Sequence, residues 1–156
     1  MNRFIISLFS LITIGLMGST GAQAAEAWKD LNSQVLQLYQ AGNPQKALPI
    51  AEKALQKAET EFGQNAPETA LSLNNLALLY KKEGQYDKAI PLYERSLSIA
   101  EKVAGPRDED LLVPLNNLAF VYESAGQKEK AERVYERIRK MGHSDTAATI
   151  KQRAAK

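Results

Sequence analysis

The sequence predicts an all-α fold, a solenoid of three stacked helix pairs, and three observations carry that expectation. Gly42, Gly84 and Gly126 stand 42 residues apart, as do Leu31, Leu73 and Leu115, and Ala47, Ala89 and Ala131. Residues 73–95 and 115–137 agree at 13 of 23 positions, and 31–53 and 73–95 at 8. Within each unit the apolar residues recur at helical spacing, and no stretch alternates as a strand would. A fixed period of this size marks supersecondary units that bury their apolar faces only by stacking.

Ahead of the repeats, Arg3 is followed by an uncharged, almost wholly apolar run from Phe4 to Met17, then small and polar residues ending in Ala22-Gln23-Ala24. This is the plan of a secretory signal peptide over residues 1–24, cleaved after Ala24. A retained membrane anchor is the alternative, but the run is shorter than the roughly 20 residues a spanning helix needs. The expected location is periplasmic or secreted, with no membrane span after cleavage. The chain has no cysteine, which suits an oxidising compartment and excludes disulfides and thiolate sites.

Residues 25–66 form the first unit, turning at Gly42-Asn43-Pro44, where Asn43 is placed to cap the next helix and Pro44 fits its first position. Residues 67–107 form the second. There Leu73, Leu76, Ala77 and Tyr80 share one helix face, Gly84 breaks the helix, and Ala89, Leu92, Tyr93, Ser96, Leu97 and Ala100 line the inner side of the next. Residues 108–142 form the third, whose second helix, from Lys128 to Met141, ends early. Pro49, Pro91 and Pro114 fall beyond the first turn of their helices, so a slight bend is expected at each. Residues 143–156 are either a polar cap helix begun by Ser144 or a tail.

Composition narrows the function. Lys and Arg total 20 against 18 Asp and Glu, so the chain lacks the basic excess of a nucleic-acid binder. A single histidine, His143, just past a helix end, has no neighbours for metal or catalytic work. Asp108-Glu109-Asp110 resembles a paired-carboxylate site but sits at a helix start, where acidic side chains are favoured. No catalytic constellation, metal or cofactor is expected.

The spacing of Leu73, Leu76, Ala77, Tyr80, Gly84, Tyr86, Ala89, Tyr93 and Ser96 resembles the tetratricopeptide repeat (TPR). The 42-residue period, with "LNNLA" and "YDKAIPLYERSLSIAEK", resembles the longer variety found in kinesin light chains. The resemblance covers Trp28 to Met141. It implies a right-handed α-solenoid of three TPR-like helix pairs whose first helices line a concave groove that binds protein or peptide.

On that groove face lie Asn32 and Leu36 of the first unit, Asn74, Asn75, Leu78, Lys81 and Lys82 of the second, and Asn116, Asn117 and Phe120 of the third. Asn32, Asn74 and Asn116 form a carboxamide row able both to donate to and accept from a peptide backbone. Leu36, Leu78 and Phe120 add apolar contact. Half-buried amides also find internal partners, so the asparagines have a second reading as ties between repeats. The resemblance favours ligand contact for Asn32, Asn74 and Asn116, and favours it less for Asn75 and Asn117. Some family members grip a terminal carboxylate with basic groove residues. The matching positions here hold Asn32, Leu36, Asn75, Val113 and Asn117, and only Asn75 keeps the type. Lys81 and Lys82 are suited to an acidic ligand or to plain solvation. The expected function is therefore an exported, non-catalytic protein- or peptide-binding adaptor, with self-association into a scaffold as the alternative.

Overall fold

The computed structural model describes residues 12–141, with side chains from Gly21 onward. It contains six helices: α1 (Ile12–Gln40), α2 (Pro44–Glu61), α3 (Pro67–Lys82), α4 (Tyr86–Ala104), α5 (Leu112–Ser124) and α6 (Lys128–Lys140). A single 3₁₀ turn, Glu109–Leu111, leads into α5. No strand occurs among the described residues. The helices pair α1 with α2, α3 with α4 and α5 with α6, and each pair packs on the next.

The turn inside each pair is the same device used three times. Gly42, Gly84 and Gly126 adopt φ of 72°, 71° and 74°, a left-handed conformation that costs a residue with a Cβ about 1–2 kcal/mol. The following N–H reaches back to satisfy an orphan carbonyl, from Asn43 to Leu38 (2.9 Å), Gln85 to Tyr80 (2.9 Å) and Gln127 to Tyr122 (2.8 Å). Together with the glycine N–H bonds to Tyr39, Lys81 and Glu123, this is the Schellman ending of a helix.

Two sequence expectations are corrected here. Asn43 makes no side-chain cap on α2; its amide instead donates to the Ala41 carbonyl at 3.1 Å. Pro114 lies within the first turn of α5, because the 3₁₀ segment precedes that helix, so it displaces no helical hydrogen bond. Pro49 and Pro91 do sit inside α2 and α4, and both helices continue through them.

Small residues set the closeness of the first pair: the face of α2 towards its neighbours is Ala47, Ala51, Ala54 and Ala58, all buried. Larger side chains fill the later pairs, where Tyr93 and Tyr135 are the largest wholly buried groups. The core runs the length of the array. One cluster gathers around Val35, Ala51, Leu76 and Leu79, and a second around Tyr93, Leu97, Leu115, Val121 and Tyr135. Tyr80 and Leu92 pack against both.

Polar ties recur with the same period. Tyr80 donates its hydroxyl to Glu52 at 3.1 Å, and Tyr122 does the same to Glu94. Arg95 pairs with Glu59 at 2.6 Å, and Arg137 with Glu101. Each arginine also donates to a loop carbonyl, Gln64 or Pro106. The repeats are therefore held in register by the same contacts at both junctions.

Helix α1 is continuous through Ala24, the expected cleavage position, and among its described side chains, from Gly21 onward, the first buried ones are Ala24 and Trp28. Residues 1–11 and 142–156, including His143, lie outside the described residues. Among the described residues no helix is long and apolar enough to cross a membrane.

Candidate functional site

The outward faces of α1, α3 and α5 carry the candidate residues, and the structure sorts them into two kinds. Asn32 is only 7% exposed and Asn75 only 6%. Asn75 donates through Nδ2 to Asn32 Oδ1 at 2.9 Å, while Asn32 Nδ2 donates to the Trp28 carbonyl at 2.9 Å. One repeat further on, Asn117 Nδ2 donates to Asn74 Oδ1 at 3.0 Å. The carboxamides thus form a ladder, each rung joining one first helix to the next. This revises the expectation that Asn32 reaches a ligand, since both ends of its amide already have partners inside the fold.

Asn74 is half-buried and keeps its amide N–H groups outside the ladder. Asn116 is the last acceptor in the series. Its Oδ1 is buried and has no partner among the described residues.

The apolar row lies one turn further along the same helix faces. Leu36 is 43% exposed and Phe120 36%, with Leu78 half-buried between them. Leu71 and Val113 form a second exposed row beside it; Val113 is 68% exposed. Apart from the half-buried Leu78, these side chains are large apolar groups that the fold leaves exposed, on the face that the ladder holds rigid. Five such groups on three successive helices make a patch, whereas one alone would carry no weight.

Lys81 lies against this row, its ammonium 4.8 Å from the centre of the Phe120 ring. A cation over a ring face is attracted by the ring's quadrupole. Burial, and secondarily the neighbouring Lys82, push the Lys81 pKa below the usual lysine value. Lys82 is exposed. Of the ten candidates, then, Leu36, Leu78, Phe120, Lys81 and Lys82 share the open face, with Asn74 beside them; Asn32, Asn75 and Asn117 are ties, and Asn116 has its Oδ1 buried without a partner.

Sequence reasoning missed the Tyr–Glu and Arg–Glu ties. Their signal was present: Glu52 and Glu94, Tyr80 and Tyr122, and Arg95 and Arg137 each repeat at 42 residues. It also missed the lock at the start of the array. Trp28 donates its indole N–H to Ser72 Oγ at 2.8 Å and meets the Phe62 ring edge-on, with centroids 5.6 Å apart.

Comparison with known proteins fits this arrangement. The sequence profile described as tetratricopeptide repeat matches residues 25–102 and again 68–142. The chain belongs to the tetratricopeptide repeat family. Repeats of this family generally mediate protein–protein interaction, so the open face of this TPR array is a surface of the expected kind. A solved structure, BtubC (BKLC) from P. vanneervenii, is similar to it with a TM-score of 0.68 at 26% identity, over 75% of this chain and 47% of that one. The chain thus spans about half the length of that protein. No curated protein matches it significantly.

Proposed function

We propose that the protein is an exported adaptor that binds a protein or peptide segment on the face formed by α1, α3 and α5. The observation that carries this is the exposed apolar row Leu36–Leu78–Phe120 on three helices locked together by the asparagine ladder. A preformed surface loses little conformational entropy on binding, which favours affinity. The apolar row supplies burial, while Lys81 and the free amide of Asn74 supply orientation. Catalysis has no part in this reading.

Export rests on the pattern of residues 1–24. It is supported by a boundary at the cleavage point: the family match begins at residue 25. A chain starting at Ala25 keeps Trp28 and every contact after it. N-terminal sequencing of the protein from the periplasm or medium should read Ala25 first; a chain still beginning at Met1 there would contradict cleavage.

A crosslinking pull-down tests the binding reading. Tagged protein in its own compartment is compared with a Leu36→Ala, Leu78→Ala, Phe120→Ala triple variant whose melting is first shown to match. Partners lost with the variant place binding on the row. Partners retained by the variant would move the binding surface elsewhere.

A further inference from the structure

The repeat makes it possible to compare each junction with its equivalent, and one comparison exposes a missing plug. At the first junction Trp28 and Phe62 meet edge to face and fill the space between the start of α1's packed segment, the end of α2 and the start of α3. Adding 42 to each number gives Ala70 and Ala104. At the second junction those two alanines line an open notch of about 210 Å³, together with Pro67, Ala100, Val103, Asp110 and Leu111. Val103 is exposed at this notch, although it is a large apolar side chain.

We propose that this notch is a docking pocket for an aromatic side chain carried by a protein partner. Its size suits one ring: an apolar cavity of about 150 Å³ takes a benzene molecule, whereas pockets for drug-sized ligands begin near about 300 Å³. Its lining is apolar apart from Asp110. The fold itself demonstrates the occupant, because the equivalent space in the first junction is filled by an indole and a phenyl ring. The indole N–H of Trp28 there donates to Ser72. The residue equivalent to Ser72 is Pro114, which offers no hydroxyl, but the Asp110 carboxylate at the notch is an acceptor for an indole N–H or a phenol. Aromatic anchors seated in pockets are the usual centres of protein interfaces. The proposal stands on the notch alone and holds whether or not the Leu36–Leu78–Phe120 row binds a peptide.

Methyl NMR of the purified protein tests it, with N-acetyl-tryptophanamide as probe and N-acetyl-alaninamide as control. The expected result is saturable shifts at the Val103 and Leu111 methyls with the tryptophan probe only. Those shifts should vanish in Ala104→Phe, which restores the first junction's ring, and persist in the Leu36/Leu78/Phe120 alanine triple. Should Ala104→Phe not fold, Ala100→Leu narrows the same notch. Absence of saturable shifts, or their survival in the filled variant, overturns the proposal. Shifts at the same methyls that appear on concentrating the protein without probe also overturn it, since a second copy would then occupy the notch.

Discussion

Asn75 and Asn116 look alike in sequence but should respond oppositely to substitution. Asn75→Ala leaves the buried Oδ1 of Asn32 without its donor, which costs about 1–3 kcal/mol. Asn116→Ala deletes an acceptor that is already buried and unpartnered, so its effect should stay within about 0.5 kcal/mol or stabilise. Urea denaturation of the two variants measures the difference, and equal losses would contradict the ladder. The sequence made the two asparagine rows plain but not their pairing. The bonds link residues 43 apart, Asn32 with Asn75 and Asn74 with Asn117. That one-residue offset arises from the axial displacement between neighbouring first helices, and periodicity, which identifies equivalent positions, says nothing about it. Exposure was likewise hidden: Asn32 and Leu36 share a helix face in sequence, yet one is buried under its neighbour and the other is open.

At the scale of the element, the turn glycines were legible because a positive φ leaves a compositional mark. Nothing lies within 4 Å of a Cβ added at Gly84, so Gly84→Ala should cost only the backbone term, about 1–2 kcal/mol. Gly84→Asn should recover part of it, since asparagine tolerates the left-handed region. Thermal melting followed by circular dichroism reads both, and an unchanged midpoint for Gly84→Ala would contradict the Schellman assignment. Helix starts were less legible. Asn43 has the side chain of a cap but bonds to Ala41 instead, and Pro44 at the first position already leaves one fewer N–H to satisfy. The third unit opens with a 3₁₀ turn, stabilised by Asp108 accepting from the Asp110 N–H at 2.8 Å. The acidic run there was correctly read as a helix start, and the turn simply delays α5 until Leu112.

For the whole molecule, the residues at the two ends bear on the scaffold alternative. Where inner first helices place Leu76 and Leu79, α1 has exposed Gln34 and Gln37. Where α4 buries Ile90 and Leu97, α6 has Glu132 and Arg139, ion-paired at 3.2 Å. Polar end faces are what terminal repeats require to stay soluble. Restoring the inner residues with Glu132→Ile and Arg139→Leu should produce concentration-dependent association in sedimentation, and a variant that stays monomeric would contradict this account of the end. Stability should also fall at alkaline pH. Tyr93, Tyr122 and Tyr135 have their pKa values raised chiefly by burial, with Tyr39 beside the first, Glu94 beside the second and Glu123 beside the third. The folded chain therefore holds these protons more tightly than the unfolded one, so their contribution is complete below about pH 10 and is lost above it. Tyr80, raised by burial and by Glu52, adds to this, and Lys81, shifted downward, opposes it as one group against four. Melting temperatures from pH 8 to 11 should drop beyond pH 10; a flat profile would contradict it. The central claim is a division of labour, in which carboxamides hold the array and the apolar row meets the partner. The most direct measurement is fluorescence anisotropy of the captured partner segment against wild type and the Leu36→Ala, Leu78→Ala, Phe120→Ala variant. The account predicts at least a tenfold loss of affinity with an unchanged melting temperature, and equal affinity for both proteins would contradict it.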